Sequence, residues 1–161
     1  VLFTPKKESY FNNDKIVAPY RCKSNNFALS TVPFYGSKDI AYILPKDRSY
    51  NLKFLVCILN STLVYKWLYF KGKRKGEMLE LYSKPLSDIP IIKIYNQSKF
   101  VLLHDEIVSL KEQGLNTLDL EQQIDLLVYK LYDLSYDEVL LIEPDFGQRV
   151  SVEEYEKAVV E

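Results

Sequence analysis

Leu52-Lys-Phe-Leu-Val-Cys-Ile-Leu-Asn-Ser-Thr-Leu-Val-Tyr-Lys-Trp-Leu-Tyr-Phe70 is the longest apolar region of the chain, and its reading decides the fold. Phe54, Leu55, Ile58, Leu59, Val64 and Trp67 or Leu68 recur at helical spacing, which predicts one long or broken helix. Asn60-Ser-Thr62 falls where a bend or a second N-cap belongs. Lys53, Asn60, Ser61, Thr62 and Lys66 interrupt the apolar run, so it makes a poor membrane span.

Upstream of this helix the pattern is β-rich. Lys15-Ile-Val-Ala-Pro-Tyr20 reads as a short strand ended by Pro19, and Asn26-Phe-Ala-Leu-Ser-Thr31 alternates as a second strand does. Pro33 and Gly36 punctuate a turn, and Ile40-Ala-Tyr-Ile-Leu44 makes a third strand ended by Pro45. Downstream, Lys71-Gly-Lys-Arg-Lys-Gly76 has no apolar residue and reads as a mobile loop, and Leu86-Ser-Asp-Ile-Pro-Ile-Ile-Lys-Ile94 as a turn and a strand. The last 60 or so residues are helical. A helix from Ser98 to Gln113 ends at Gly114, in the position a C-cap glycine takes. Asp119 and Gln122 have capping-box spacing ahead of an apolar face of Leu120, Ile124, Leu127, Val128 and Leu131. Ser135 with Glu138, and Ser151 with Glu154, repeat that signal for two shorter helices. The expected class is α+β: a small twisted, mainly antiparallel sheet with a packed helix, followed by a C-terminal helical segment. Residues 1–97 form the working region and 98–161 a brace or docking element, in one compact unit.

A chain of 161 residues with 47% hydrophobic and 14% aromatic content can bury one sizeable core. Its net charge of −1 conceals a division. Residues 1–100 hold 17 basic and 7 acidic side chains, residues 101–161 only 4 and 15. This asymmetry points to a basic working surface joined to an acidic helical tail, although unlike subregions also segregate charge by chance. Cys22 and Cys57 are far apart and indicate neither a disulfide framework nor a zinc knuckle, which fits a reducing cytoplasm. No signal peptide opens the sequence, and its start at Val1 reads as part of a longer polypeptide.

Lys71, Lys73, Arg74 and Lys75 follow an aromatic helix end on a glycine-rich stretch, and cations so placed contact phosphates. A solvated loop is the alternative. In Pro19-Tyr-Arg-Cys-Lys-Ser-Asn-Asn26, Arg21, Lys23, Asn25 and Asn26 carry the donors and acceptors that read base edges, although an ordinary polar turn uses the same residues. Tyr35, Ser37 and Lys38 form a third turn with the same two readings. Catalytic constellations are missing. His104 sits beside Asp105 and Glu106 as a solvated helix residue with no nucleophile to serve, and Glu77 and Glu80 balance the cationic stretch rather than hold a metal. Pro144-Asp145 with Glu156-Lys157 approaches a nuclease carboxylate–lysine set, but Tyr155 occupies the second carboxylate's place. No phosphate-binding or dinucleotide glycine motif occurs.

Three stretches together resemble one family. Leu52-x-x-Leu55-x-x-Ile58-Leu-Asn-Ser61, then Leu86-Ser-Asp-Ile-Pro-Ile91, then Ile124-Asp-x-Leu-Val-Tyr-x-Leu-Tyr-x-Leu-Ser-x-x-Glu138 are similar, in order and spacing, to the TaqI-like C-terminal specificity domain of type IIG restriction enzymes and adenine-specific DNA methyltransferases. The likeness covers roughly residues 15–143. It implies a bacterial restriction–modification module that binds double-stranded DNA beside a methyltransferase domain of the same polypeptide. That domain, not this chain, would carry the Asn-Pro-Pro-Tyr type motif, S-adenosylmethionine and, if a nuclease is present, magnesium. No base-reading residue carries over from the family, because those positions encode each enzyme's own site. The competing expectation is a helical interaction module of a multisubunit restriction system.

Overall fold

The computed structural model describes residues 8–44 and 49–160. In chain order the elements are α1 (Ser9–Asn12), β1 (Lys15–Pro19), β2 (Arg21–Cys22), β3 (Ala28–Ser30), β4 (Ile40–Ile43), α2 (Leu52–Asn60), α3 (Thr62–Lys71), β5 (Lys73–Lys75), β6 (Met78–Glu80), α4 (Ser83–Ser87), α5 (Ser98–Glu112), α6 (Leu118–Leu131), α7 (Tyr136–Ile142), a 3-10 turn (Pro144–Gln148) and α8 (Val152–Lys157). The class is α+β, as expected. Pro45 lies outside the described residues.

Instead of one small sheet the described residues form two, each antiparallel with three strands, in the orders β3-β1-β4 and β2-β6-β5. Tyr20 joins them. Its N–H donates to the carbonyl of Asp39 at 2.6 Å and its carbonyl accepts from Leu81 N–H at 2.8 Å, so one extended segment passes from the first sheet into the second. The second sheet eluded the sequence because every residue of β5 is exposed. A strand without an alternating burial pattern leaves no periodic signal. Lys73–Lys75 is therefore one arm of a hairpin and not a loop. Lys75 pairs with Met78 across a two-residue turn that begins at Gly76, whose φ of 62° suits glycine.

The apolar stretch is a broken helix, and the break is built by three consecutive side chains. Asn51 caps α2 by accepting from Lys53 N–H at 2.9 Å. At the other end Ser61 is extended; its hydroxyl donates to the carbonyl of Ile58 at 2.7 Å and accepts from Val64 N–H at 3.3 Å, ending α2 and starting α3. Asn60 binds the backbone of Phe27 in both directions, accepting from its N–H at 2.9 Å and donating to its carbonyl at 2.8 Å. Thr62 donates through N–H and hydroxyl, both at 2.7 Å, to Asp125 of α6, an anion placed at a helix N-terminus where the helix dipole favours it. α2 buries six successive residues, Phe54 to Leu59, which a helix at the centre of a core requires.

α5 and α6 pack on α2 and α3, so Phe100, Leu103, Ile124, Leu127 and Val128 share one core with Ile16, Phe54 and Ile58. A second cluster of Tyr129, Val139, Phe146 and Tyr155 closes the C-terminal end. Its rings meet edge to face, Tyr129 to Phe146 at 5.7 Å and Phe146 to Tyr155 at 5.8 Å between centroids. Both expected serine–glutamate capping boxes are present, at Ser135 and Ser151. The one expected at Asp119 is not: the N-cap lies two residues earlier, at Thr117, and the Thr117 hydroxyl donates to Glu121 at 2.8 Å. Gly114 has the left-handed φ of 70° that its C-cap role demands.

The expected strand within residues 86–94 is also absent. Ser83–Ser87 is a short helix, and the backbone beyond it meets tyrosine hydroxyls rather than a ladder. Tyr132 donates to the carbonyl of Pro90 at 2.6 Å and Tyr50 to that of Ile91 at 3.5 Å.

Candidate nucleic-acid interface

The second sheet brings together two cationic segments that are some fifty residues apart in sequence. Arg21 and Lys73 both face Glu80 of the central strand β6, one from each side, and Arg74 lies opposite Leu79. Directly opposed residues of neighbouring strands share a face, so Arg21, Glu80 and Lys73 form a row. Lys23 reaches the hairpin turn, 3.7 Å from Glu77. Arg21, Lys23, Lys73, Arg74 and Lys75 are all exposed. Lys71 closes α3 immediately before them, next to Gly72, where a Cβ would collide with the Leu68 carbonyl oxygen. Only glycine lets the chain turn here from the helix into the hairpin.

Aromatic rings lie among these cations. Arg74 sits 3.9 Å above the centroid of Tyr69, and Lys73 5.0 Å from that of Tyr82. Tyr20 packs edge-on to Tyr82 at 5.4 Å, and Phe70 is 76% exposed beside Tyr69. Sequence reading missed Tyr20, Tyr82 and Phe70 as parts of this surface; the aromatic end of α3 was the signal for Phe70. Cations interleaved with rings hold phosphates electrostatically and offer faces on which bases stack.

Glu80 is the one buried anion in this row, 6% exposed, and it accepts from Arg21 Nε at 2.8 Å. That hydrogen bond holds the Glu80 carboxyl below the usual carboxylate range and raises Arg21 further above its already high value. Glu77 and Glu80 thus each face a cation.

The remaining candidates separate. Asn25 is half-buried; its amide donates to the carbonyls of Leu59 at 2.7 Å and Ser61 at 3.5 Å, so it fastens the segment 23–27 to the end of α2 beside the Asn60 clamp, while Asn26 is exposed. Behind that segment a groove of about 780 Å³ runs between it and α5 and α6. Tyr35, Ser37 and Lys38 lie on the connection between β3 and β4, in the first sheet. Tyr35 stacks on Phe11 at 4.9 Å and donates to Asn12 at 2.8 Å, Ser37 accepts from Asp39 N–H at 3.1 Å, and Lys38 is exposed. Asp39 follows them and adds a weak attraction to Arg21.

His104 is not solvated but 8% exposed, with Nδ1 3.0 Å from its neighbour Asp105, which Lys53 of α2 holds in turn. Tyr155 is a core residue, 1% exposed. Cys22 and Cys57 are free and buried. Among the described residues no three His, Cys, Asp or Glu side chains gather as a metal site, and no helix is long and apolar enough to cross a membrane.

Residues 2–91, more than half of the chain, match the family described as the TaqI-like C-terminal specificity domain. Over 112 residues the chain is 31% identical to the Type II methyltransferase M.HincII of Haemophilus influenzae, and equally to the Type II methyltransferase M.HindII of Haemophilus influenzae strain Rd. Each alignment covers 65% of this chain and 22% of the relative. With the matched region holding β1 to β4, the α2–α3 break, the cationic hairpin and α4, the chain belongs to the TaqI-like C-terminal specificity domain family.

Proposed function

We propose that this chain is the DNA target-recognition part of a restriction–modification methyltransferase that modifies adenine at N6, and that it binds DNA without catalysing the reaction. The observation that carries this reading is the sheet β2-β6-β5, which brings Arg21 of one edge strand and Lys73, Arg74 and Lys75 of the other onto one small sheet, on a chain whose net charge is −1. Family membership and the methyltransferase relatives support it. The hairpin cations, with Lys71, hold phosphates, and the polar segments at 21–26 and 35–38 approach the base edges. Residues 1–97 do the reading and 98–161 brace them. Extrusion of the target base and methyl transfer from S-adenosylmethionine belong to a methyltransferase domain of the same bacterial, cytoplasmic polypeptide, with magnesium needed only if a nuclease accompanies it.

Fluorescence anisotropy with a labelled duplex across a salt series tests this. Affinity should fall as salt rises, and the triple substitution K73Q/R74Q/K75Q should make the log–log slope shallower by about 2 to 3, since each neutralised phosphate contributes about 0.9. Salt-insensitive or absent binding by the wild-type chain would sink the proposal.

A further inference from the structure

We infer that Arg21 is a specificity-determining residue that reads a guanine through its two terminal amino groups, and that Glu80 is the residue that positions it. The inference deepens the DNA-recognition reading and rests on it. β2 is an edge strand of its sheet, so Arg21 stands at a border that another molecule can approach, and its side chain is 51% exposed. Its Nε donates to Glu80 Oε1 at 2.8 Å, and among the described residues the two terminal amino groups donate to nothing. Anchoring Nε fixes the plane of the guanidinium and leaves the forked end free, the end whose two parallel N–H groups match guanine O6 and N7 in the major groove.

Charge decides between a base and a phosphate as the acceptor. Glu80 lies against Arg21 and offsets its charge locally, which weakens attraction to a phosphate, whereas hydrogen bonds to a neutral base edge survive. Lys75 and Arg74, by contrast, form no carboxylate ion pair among the described residues and suit the phosphates. Glu80 itself is held at the centre of the sheet between two paired strands, with 6% exposure. The Tyr20 ring, 5.9 Å from the Arg21 guanidinium, limits its swing. Each geometric element is local to Arg21; none is repeated at Lys23, whose ion pair with Glu77 is long and exposed on both sides.

Selection from a duplex library with randomised central bases, read by sequencing, tests the assignment on the whole chain. The wild type should enrich a site containing a G·C pair that Arg21→Lys ceases to select, with a loss of about 5- to 100-fold in discrimination at that one position. Glu80→Gln should weaken the same position by a smaller factor, and Lys73→Gln should lower affinity for all sequences alike. Uniform loss with Arg21→Lys would overturn the assignment in favour of a phosphate contact, and so would a Glu80→Gln effect at a different position. If Glu80→Gln does not fold by circular dichroism, the exposed Arg21→Lys still decides. A wild type that binds with salt sensitivity yet selects no G·C position overturns Arg21 alone; one with no salt-sensitive binding overturns the DNA reading as well.

Discussion

The cationic sheet and the acidic helices use charge in opposite ways. In the second sheet, Lys73, Arg74 and Lys75 stand on a three-residue strand exposed throughout, with Lys73 against the Tyr82 ring and Arg74 against that of Tyr69. In the C-terminal helices several carboxylates are engaged within the fold. Glu138 and Glu154 complete capping boxes, Glu143 accepts from Tyr129 at 3.0 Å and Arg149 at 2.6 Å, Asp105 pairs with Lys53, Glu121 with Lys111, and Asp125 caps α3. The near-equal and opposite charges of the two halves are therefore not equivalent. One is carried by a short strand of exposed cations, the other is tied in part into caps and ion pairs of the fold, and a net charge near zero hides a surface suited to a polyanion.

The comparison can be broken where it is most rigid. Phe146 is fully buried between Tyr129 and Tyr155 with Arg149 4.9 Å above its ring. Phe146→Ala should cost about 3–5 kcal/mol in chemical denaturation yet leave the salt slope of DNA binding unchanged in buffer where the variant is folded. A changed slope would mean that the helices take part in binding.

Asp125 sharpens the comparison, since it is an acidic group that binds the two halves together. Burial outweighs its hydrogen bonds from Thr62 and pushes its pKa up to about 6. A carboxyl whose folded value is raised favours the fold while protonated, so its contribution is fully present below the unfolded value near 4 and is lost as pH rises through about 6. Asp125→Asn, which can keep both bonds to Thr62 with the hydroxyl reversed, should remove roughly 2–3 kcal/mol of that pH-dependent loss. The measurement is urea unfolding at pH 4 and pH 7, compared between variant and wild type; equal pH dependence in both would show that Asp125 ionises as freely folded as unfolded.

The smallest effect concerns backbone shape. Asp133 follows α6 with φ 54°, the single non-glycine residue with positive φ among those described. Its N–H donates to the carbonyl of Lys130 and that of Leu134 to the carbonyl of Tyr129, both at 3.1 Å, the arrangement that glycine favours at a helix end. Asp133→Gly should leave Tm unchanged or raise it, by up to about 1 kcal/mol of added stability. A clear fall in Tm would assign the Asp133 side chain a role beyond tolerating this conformation.

What the sequence determined by itself is local. The apolar spacing from Phe54 to Leu68 placed the central helix, Asn60-Ser-Thr62 marked its break, and serines three residues before glutamates marked the starts of α7 and α8. Each depends on residues within one or two helical turns, so composition and spacing contain the signal. The tertiary structure decided the rest through pairs distant in sequence: Arg21 with Glu80, the clamp of Asn60 on Phe27, and Thr62 with Asp125. Lys15 shows the difference within a single residue. Sequence places it at the start of a strand, and it does start one, but its ammonium is fully buried and donates to the carbonyls of Phe11, Asn13 and Val32 at 2.7 to 3.1 Å. A buried charge is tolerable only when its hydrogen bonds are satisfied, and the acceptors that satisfy it come from segments which no local pattern brings together.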